Sequence, residues 1–247
     1  LDKTVFPETI PFLDALRTQG ARALYLTNNS SKSVKAYVEK LAGMGISATE
    51  DEFLTSTDAT IVYLKAHYAP ETKMYVFGTA SFREQLASHG IRTVTELQDD
   101  IKVLVMGFDT ELTFGKLEDA CILLGRGVDF LATNPDWVCP TAYGYVPDCG
   151  SVCEMLLRAT GRRPVVIGKP QPEMALLAME RTGFTAEQLK QIVDNNMGQI
   201  VDALRQSGVD FAEKTEQEIA DSIRTIVVIA ISIFFISIDF FTCYTFG

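Results

Sequence analysis

Positive charge, histidine and paired cysteine are all scarce in this sequence. Its 22 Lys and Arg residues are outnumbered by 32 Asp and Glu, giving a net charge of −10 at neutral pH. A surface so acidic repels phosphate backbones, which argues against nucleic acid as a partner. It still admits a small anionic substrate, because a few local cations reverse the field inside one cleft. The two histidines, His67 and His89, stand alone in helix-like stretches, so each reads as solvated or packed rather than catalytic. The five cysteines include Cys149 and Cys153 at C-x3-C spacing, but no C-x2-C pair and no histidine cluster that would suit zinc. No signal-peptide pattern opens the chain, so reduced thiols in a cytoplasmic protein are the expectation.

Long apolar runs are missing too. The longest stretch without a charge in the tail, Ile226 to Ile238, has 13 residues, short of the roughly 18–20 that span a bilayer. Counting on through Asp239 makes a span barely feasible. Isoleucine, valine and phenylalanine dominate the run, so a buried strand is favoured over membrane contact.

What remains is the composition of a folded domain, with 47% of its 247 residues hydrophobic and 22% charged. Short aliphatic runs alternate with longer amphipathic ones: 21–27, 52–56, 73–78, 101–107, 129–133, 163–168 and 190–194 are the expected strands. Between them, 31–45 places Val34, Tyr37, Val38 and Leu41 on one helical stripe, and 172–183 opens with Pro172 at a first-turn position. Strands alternating with helices of this length predict an α/β fold with a parallel sheet buried on both faces. Residues 134–150 break the rhythm: three prolines and two glycines predict a long irregular loop, and such loops inside compact domains are usually functional.

In an open α/β sheet, ligands bind beyond the carboxyl ends of the strands. Three strand ends carry suitable groups: Thr27-Asn28-Asn29-Ser30-Ser31, Gly168-Lys169-Pro170 and Asp194-Asn195-Asn196. Taken singly, the first is also an ordinary helix N-cap, the second a solvated lysine and the third a turn. Together they supply hydroxyl and amide donors, one cation and one carboxylate, a set suited to a phosphoryl group with a magnesium ion. Helix N-termini behind them favour an anion.

The segments LYLTNNSSKS (24–33), VVIGKPQPEM (165–174) and FLATNPDWVCPTAYGYVPDCGS (130–151) resemble the NagD-type phosphatases of the haloacid dehalogenase superfamily, over roughly residues 2–190. The resemblance implies a Rossmann-like core (residues 1–78 and 163–225) and an inserted smaller α/β cap (79–162), while the hydrophobic tail (226–247) lies outside it with no role assigned. It implies Mg2+-dependent hydrolysis of small phosphomonoesters, with a homodimer through the cap as a further expectation. Carried over, Thr27, Asn28 and Asn29 bind the phosphoryl group, Lys169 neutralises it, Asn134 and Asp136 lie near the leaving group, and Asp194 ligates the metal. Two features depart from that pattern. Asp2 is not followed by Asp-Gly-Thr, so the family's nucleophile motif is absent, and Gln199 stands where a second metal-binding acid belongs. The expectation is therefore a phosphatase without turnover in this chain, or else a non-catalytic protein that binds phosphorylated metabolites. One further expectation places the tail in the slot of the missing first strand, with Asp239 beside Lys169.

Overall fold

The computed structural model describes Val5 and residues 9–18, 23–141 and 143–187. Helix α1 (Thr9–Thr18) leads to strand β1 (Tyr25–Thr27), then α2 (Val34–Ala42), β2 (Phe53–Thr55) and α3 (Ser56–His67). After these come β3 (Met74–Phe77), α4 (Ala80–Ser88), β4 (Thr93–Val94), β5 (Val103–Met106), α5 (Phe114–Gly125) and β6 (Asp129–Ala132). Strands β7 (Val138–Thr141) and β8 (Gly144–Pro147), helix α6 (Cys149–Thr160), β9 (Val165–Val166) and α7 (Pro172–Thr182) complete the described part.

Five strands lie parallel in the order β4, β3, β5, β6, β9. All of β3 and β5 is buried, as continuous apolar runs require when helices cover both faces. Alternation then sorts the side chains. Met74, Val76, Val103, Val105 and Leu131 cluster with Leu64, Phe82, Leu86 and Met174. Tyr75, Phe77, Leu104, Met106 and Phe130 cluster with Ala120, Leu123, Val152 and Leu156. Each such aliphatic or aromatic side chain contributes about 1.5–3 kcal/mol by leaving water.

Strands β1 and β2 form a separate parallel pair. Leu26 and Leu54 belong to the first cluster of the larger sheet, which joins the two units through one core. On the other face Tyr25, Phe53, Tyr37 and Leu41 make a third cluster, with Phe53 stacked on Tyr25 at 5.0 Å and Tyr37 at 5.8 Å between ring centroids. Tyr37 and Leu41 are the buried members of the stripe expected on α2.

The α/β architecture with its parallel sheet is the one expected, and the six expected strands that fall within the described residues are present. A domain boundary after residue 78 would separate β3 from β5, yet these two are paired from Met74↔Val103 to Phe77↔Met106. Likewise β9, beyond residue 163, pairs with β6. The large sheet thus draws strands from both of the expected domains. Residues 134–150 are less irregular than their prolines suggest: 138–147 form an antiparallel hairpin. Its two strands form a sheet of their own, an edge setting in which proline is tolerated. Pro172 opens α7, as its first-turn position predicts. Among the described residues no helix is long and apolar enough to cross a membrane. The expected strand 190–194, Asp194 and the tail with Asp239 lie outside the described residues.

The connections set the location of the site. From β3 the chain passes through α4 to β4 on one side of the sheet; from β5 it passes through α5 to β6 on the other. The direction of winding therefore reverses between β3 and β5, and the carboxyl edge there is where open α/β sheets place ligands.

Candidate functional site

Residues 28–33, leaving β1, cross that carboxyl edge and touch the end of one strand after another. Thr79, just past β3, donates its hydroxyl to the Ser31 carbonyl at 2.9 Å. Ser81 accepts the Ser33 N–H at 2.9 Å. Past β5, the Phe108 N–H donates to Ser30 Oγ at 2.9 Å. Past β6, Thr133 Oγ1 lies 3.0 Å from the same Ser30 hydroxyl, and Asn134 Nδ2 donates to the Asn28 carbonyl at 2.9 Å. Ser56, at the start of α3, donates to that carbonyl at 2.6 Å. The loop is polar yet buried, and these bonds are how its groups are satisfied.

Asn28 is the hub. Its Oδ1 accepts the Lys169 N–H at 2.9 Å, while its Nδ2 donates to the Lys169 carbonyl at 3.0 Å and to the Asp136 carboxylate at 3.1 and 3.3 Å. Only one orientation of the amide satisfies an N–H on one side and two acceptors on the other. Gly168 makes this approach feasible: a Cβ there would lie 2.3 Å from the Thr133 carbonyl oxygen and 2.9 Å from Asn28 Oδ1. The Lys169–Pro170 peptide is cis. Asp136 is held in turn by Asn134, whose Oδ1 accepts its N–H at 3.0 Å, and by α6, whose Gly150 N–H donates to its carbonyl at 2.8 Å.

The residues expected from the sequence separate accordingly. Thr27, Asn28, Asn134, Asp136 and Lys169 come together at one edge, drawn from strand ends that are distant in the chain. Thr27 is fully buried and its hydroxyl accepts the Asn29 N–H at 3.1 Å. Asn29 turns to its own loop instead of Lys169: its Oδ1 accepts the Ser31 N–H and hydroxyl at 2.9 and 2.6 Å, closing a local turn. The helix cap is also displaced along the run, since Ser33 rather than the Asn-Asn-Ser-Ser stretch accepts the Ala36 N–H of α2 at 3.3 Å. Ser30, Ser56, Thr133 and Gly168 build the site as well; Ser30 and Gly168 lie in strand-end segments marked from the sequence, whereas Ser56 and Thr133 lie in none of them. A hydroxyl or glycine within a few residues of a strand end is what they share, and it is too common to be read alone.

Among the described candidate residues the edge carries the Lys169 ammonium and the Asp136 carboxylate, both on half-buried side chains. Behind the loop, near the start of α6, the sulfurs of Cys149 and Cys153 lie 3.9 Å apart. Hydrogen bonding from Cys153 and burial push the Cys149 thiol well above its ordinary value, so it stays protonated and unreactive. Among the described residues no group of three His, Cys, Asp or Glu could hold a metal ion. A separate cleft of about 400 Å³ is lined by Lys35, Glu50, Asp58, Glu84, His89 and Arg181 among others, but by none of the candidate residues. Its charges are of both signs, so it makes no field selective for an anion.

Comparison with known proteins finds relatives over about three quarters of the chain. The family described as haloacid dehalogenase-like hydrolase matches residues 1–92. An acid sugar phosphatase of Staphylococcus aureus (strain MRSA252) is 32% identical over 183 residues, 74% of this chain and 70% of that protein. The 5'-nucleotidase YutF of Bacillus subtilis (strain 168) is 31% identical over 188 residues, 76% of this chain and 72% of that protein. Among solved structures, a 4-nitrophenylphosphatase from Thermotoga maritima superposes with a TM-score of 0.70 at 33% identity, covering 76% of this chain and 71% of that one. A glycerol phosphate phosphatase from Mycobacterium tuberculosis in complex with magnesium gives a TM-score of 0.68 at 31% identity, covering 75% of this chain and 57% of that one.

Proposed function

This chain belongs to the haloacid dehalogenase-like hydrolases, in their NagD-like phosphatase branch, and from that premise we propose that its carboxyl-edge site binds the phosphoryl group of a small phosphomonoester. The observation that carries this reading is the convergence of Asp136 and Lys169 on the Asn28 side chain, next to Thr27. Lys169 supplies the cation that offsets the phosphoryl charge, and the N-terminus of α3 directly behind the site adds favourable potential. The substrates named for the relatives, acid sugar phosphates, nucleotides, glycerol phosphate and 4-nitrophenyl phosphate, share only this group. Asn134 and Asp136 then lie on the leaving-group side.

Magnesium belongs to the same reading, since one relative was solved with it. The described residues do not themselves make its site: Asp136 is the edge carboxylate, and it is engaged by Asn28. Asp194 and the phosphoryl oxygens would hold the ion, which would supply charge neutralisation for the transferring group. The 247 residues contain no Asp-x-Asp-Gly-Thr. The family's covalent phosphoryl-enzyme route needs that carboxylate nucleophile, so the reading proposed here is one of phosphate-ester binding. A cytoplasmic location is part of the same proposal. The hairpin's exposed Trp137, Val138, Tyr143 and Tyr145 supply apolar surface for a homodimer.

Titration with orthovanadate and with inorganic phosphate in magnesium buffer tests the reading. Saturable binding that is lost in Lys169→Met is the expected result; no binding to the parent chain overturns it.

A further inference from the structure

We infer that Asn28 acts in this site through its carboxamide as a positioning residue for Lys169, and that the side chain is not itself a ligand of the anion. The inference rests on the phosphate-binding reading above but is carried by different observations. Asn28 and the Lys169 peptide form a two-point pair, N–H to Oδ1 at 2.9 Å and Nδ2 to carbonyl at 3.0 Å. This is the pattern by which neighbouring strands recognise each other, here made by a side chain. The second Nδ2 hydrogen is directed at the Asp136 carboxylate, at 3.1 and 3.3 Å from its two oxygens. Both amide hydrogens are thereby committed, so the group has no donor left for a phosphoryl oxygen.

The pair is also rigid. Asn28 is only 5% exposed, and its own carbonyl is held by Ser56 at 2.6 Å and Asn134 at 2.9 Å. The ends of β1, β2 and β6 therefore determine where the amide sits, and the amide determines where the Lys169 main chain sits. A lysine stem has four rotatable bonds, and anchoring its backbone removes part of the freedom it must lose to meet an anion. Asp136 adds a second function, since its carboxylate selects the amide orientation that presents Oδ1 to the Lys169 N–H.

Acetylation of Lys169 by limiting acetic anhydride, followed by mass spectrometry of the full chain, reads this directly. Without phosphate, Asn28→Ala should raise the labelling rate of Lys169 severalfold relative to an exposed lysine such as Lys65. With phosphate, the concentration that half-protects Lys169 should rise about tenfold, the usual scale for losing a group that orients a ligand. Asn28→Asp keeps the volume and the acceptor for the Lys169 N–H but loses both donors, so it should fall between the parent and Asn28→Ala. It also serves if the alanine variant does not fold. An unchanged phosphate-free rate in a folded Asn28 variant overturns the positioning role. Failure of phosphate to protect Lys169 in the parent chain overturns the phosphate site instead, and the phosphate-free rates still decide the role of Asn28.

Discussion

The β1–β2 pair and the five-stranded sheet are made from similar material, short parallel strands of buried apolar residues, but they are secured very differently. The large sheet has a helix layer on each face and two separate clusters of side chains within it. The small pair has three residues per strand and shares one of its two clusters with the large sheet. Yet the candidate chemistry begins on the small pair, at Thr27 and Asn28. What holds that loop in place is hydrogen bonding to residues just past β3, β5, β6 and β9, not the pairing of its own strand. A weakly secured strand can thus present a well-determined site when a better-packed neighbour supplies the anchors. This also explains how the site is buried and polar together: every anchor is a hydrogen bond, and one left unmade would cost about 1–3 kcal/mol.

The largest effect should come from breaking the anchor sheet itself. Phe82→Ala removes a fully buried ring from the cluster that joins the two units, and should cost about 3–5 kcal/mol in urea unfolding. If the loss proves small, the shared core is not what unites them. Next comes Gly168→Ala, whose new Cβ would meet the Thr133 carbonyl at 2.3 Å. A clash with backbone should destabilise by about 1–3 kcal/mol and weaken phosphate binding as well. Calorimetry showing full affinity would mean the approach of β9 to Asn28 is unimportant. Ser30→Ala should follow, at about 1–2 kcal/mol, because the Phe108 N–H and the Thr133 hydroxyl lose a buried partner. Thr133→Val should then add little in that background, since it removes the other half of the same bond. The smallest effect belongs to the hairpin: Tyr143→Ser, at 82% exposure, should shift stability by less than about 0.5 kcal/mol. A change in sedimentation behaviour with no change in melting would identify the hairpin as an interface.

Much of this arrangement is legible in the chain before folding is considered. Thr27 and Lys169 each stand at the end of an apolar run, and the rule that ligands gather at carboxyl ends assigns them to one edge; Asn134 and Asp136 enter the site through the family resemblance. The hairpin at 138–147 is hidden because prolines that break a central strand are tolerated in an isolated ribbon. Asn28 and Asn29 are identical and adjacent, so they read as one pair, yet one amide faces Lys169 and the other closes its own turn. No local pattern distinguishes them.

Strand runs, helix stripes and glycine stops follow from the sequence alone, because each depends on residues within a turn or a strand of one another. The partners of Asn28 at positions 134, 136 and 169, and of Ser30 at 108 and 133, come only from the tertiary arrangement. A hydrogen bond is satisfied within about 3 Å or not at all. Which of many equivalent amides and hydroxyls comes that close depends on how five strands order themselves side by side, and that order is set by the packing of two whole faces of the sheet.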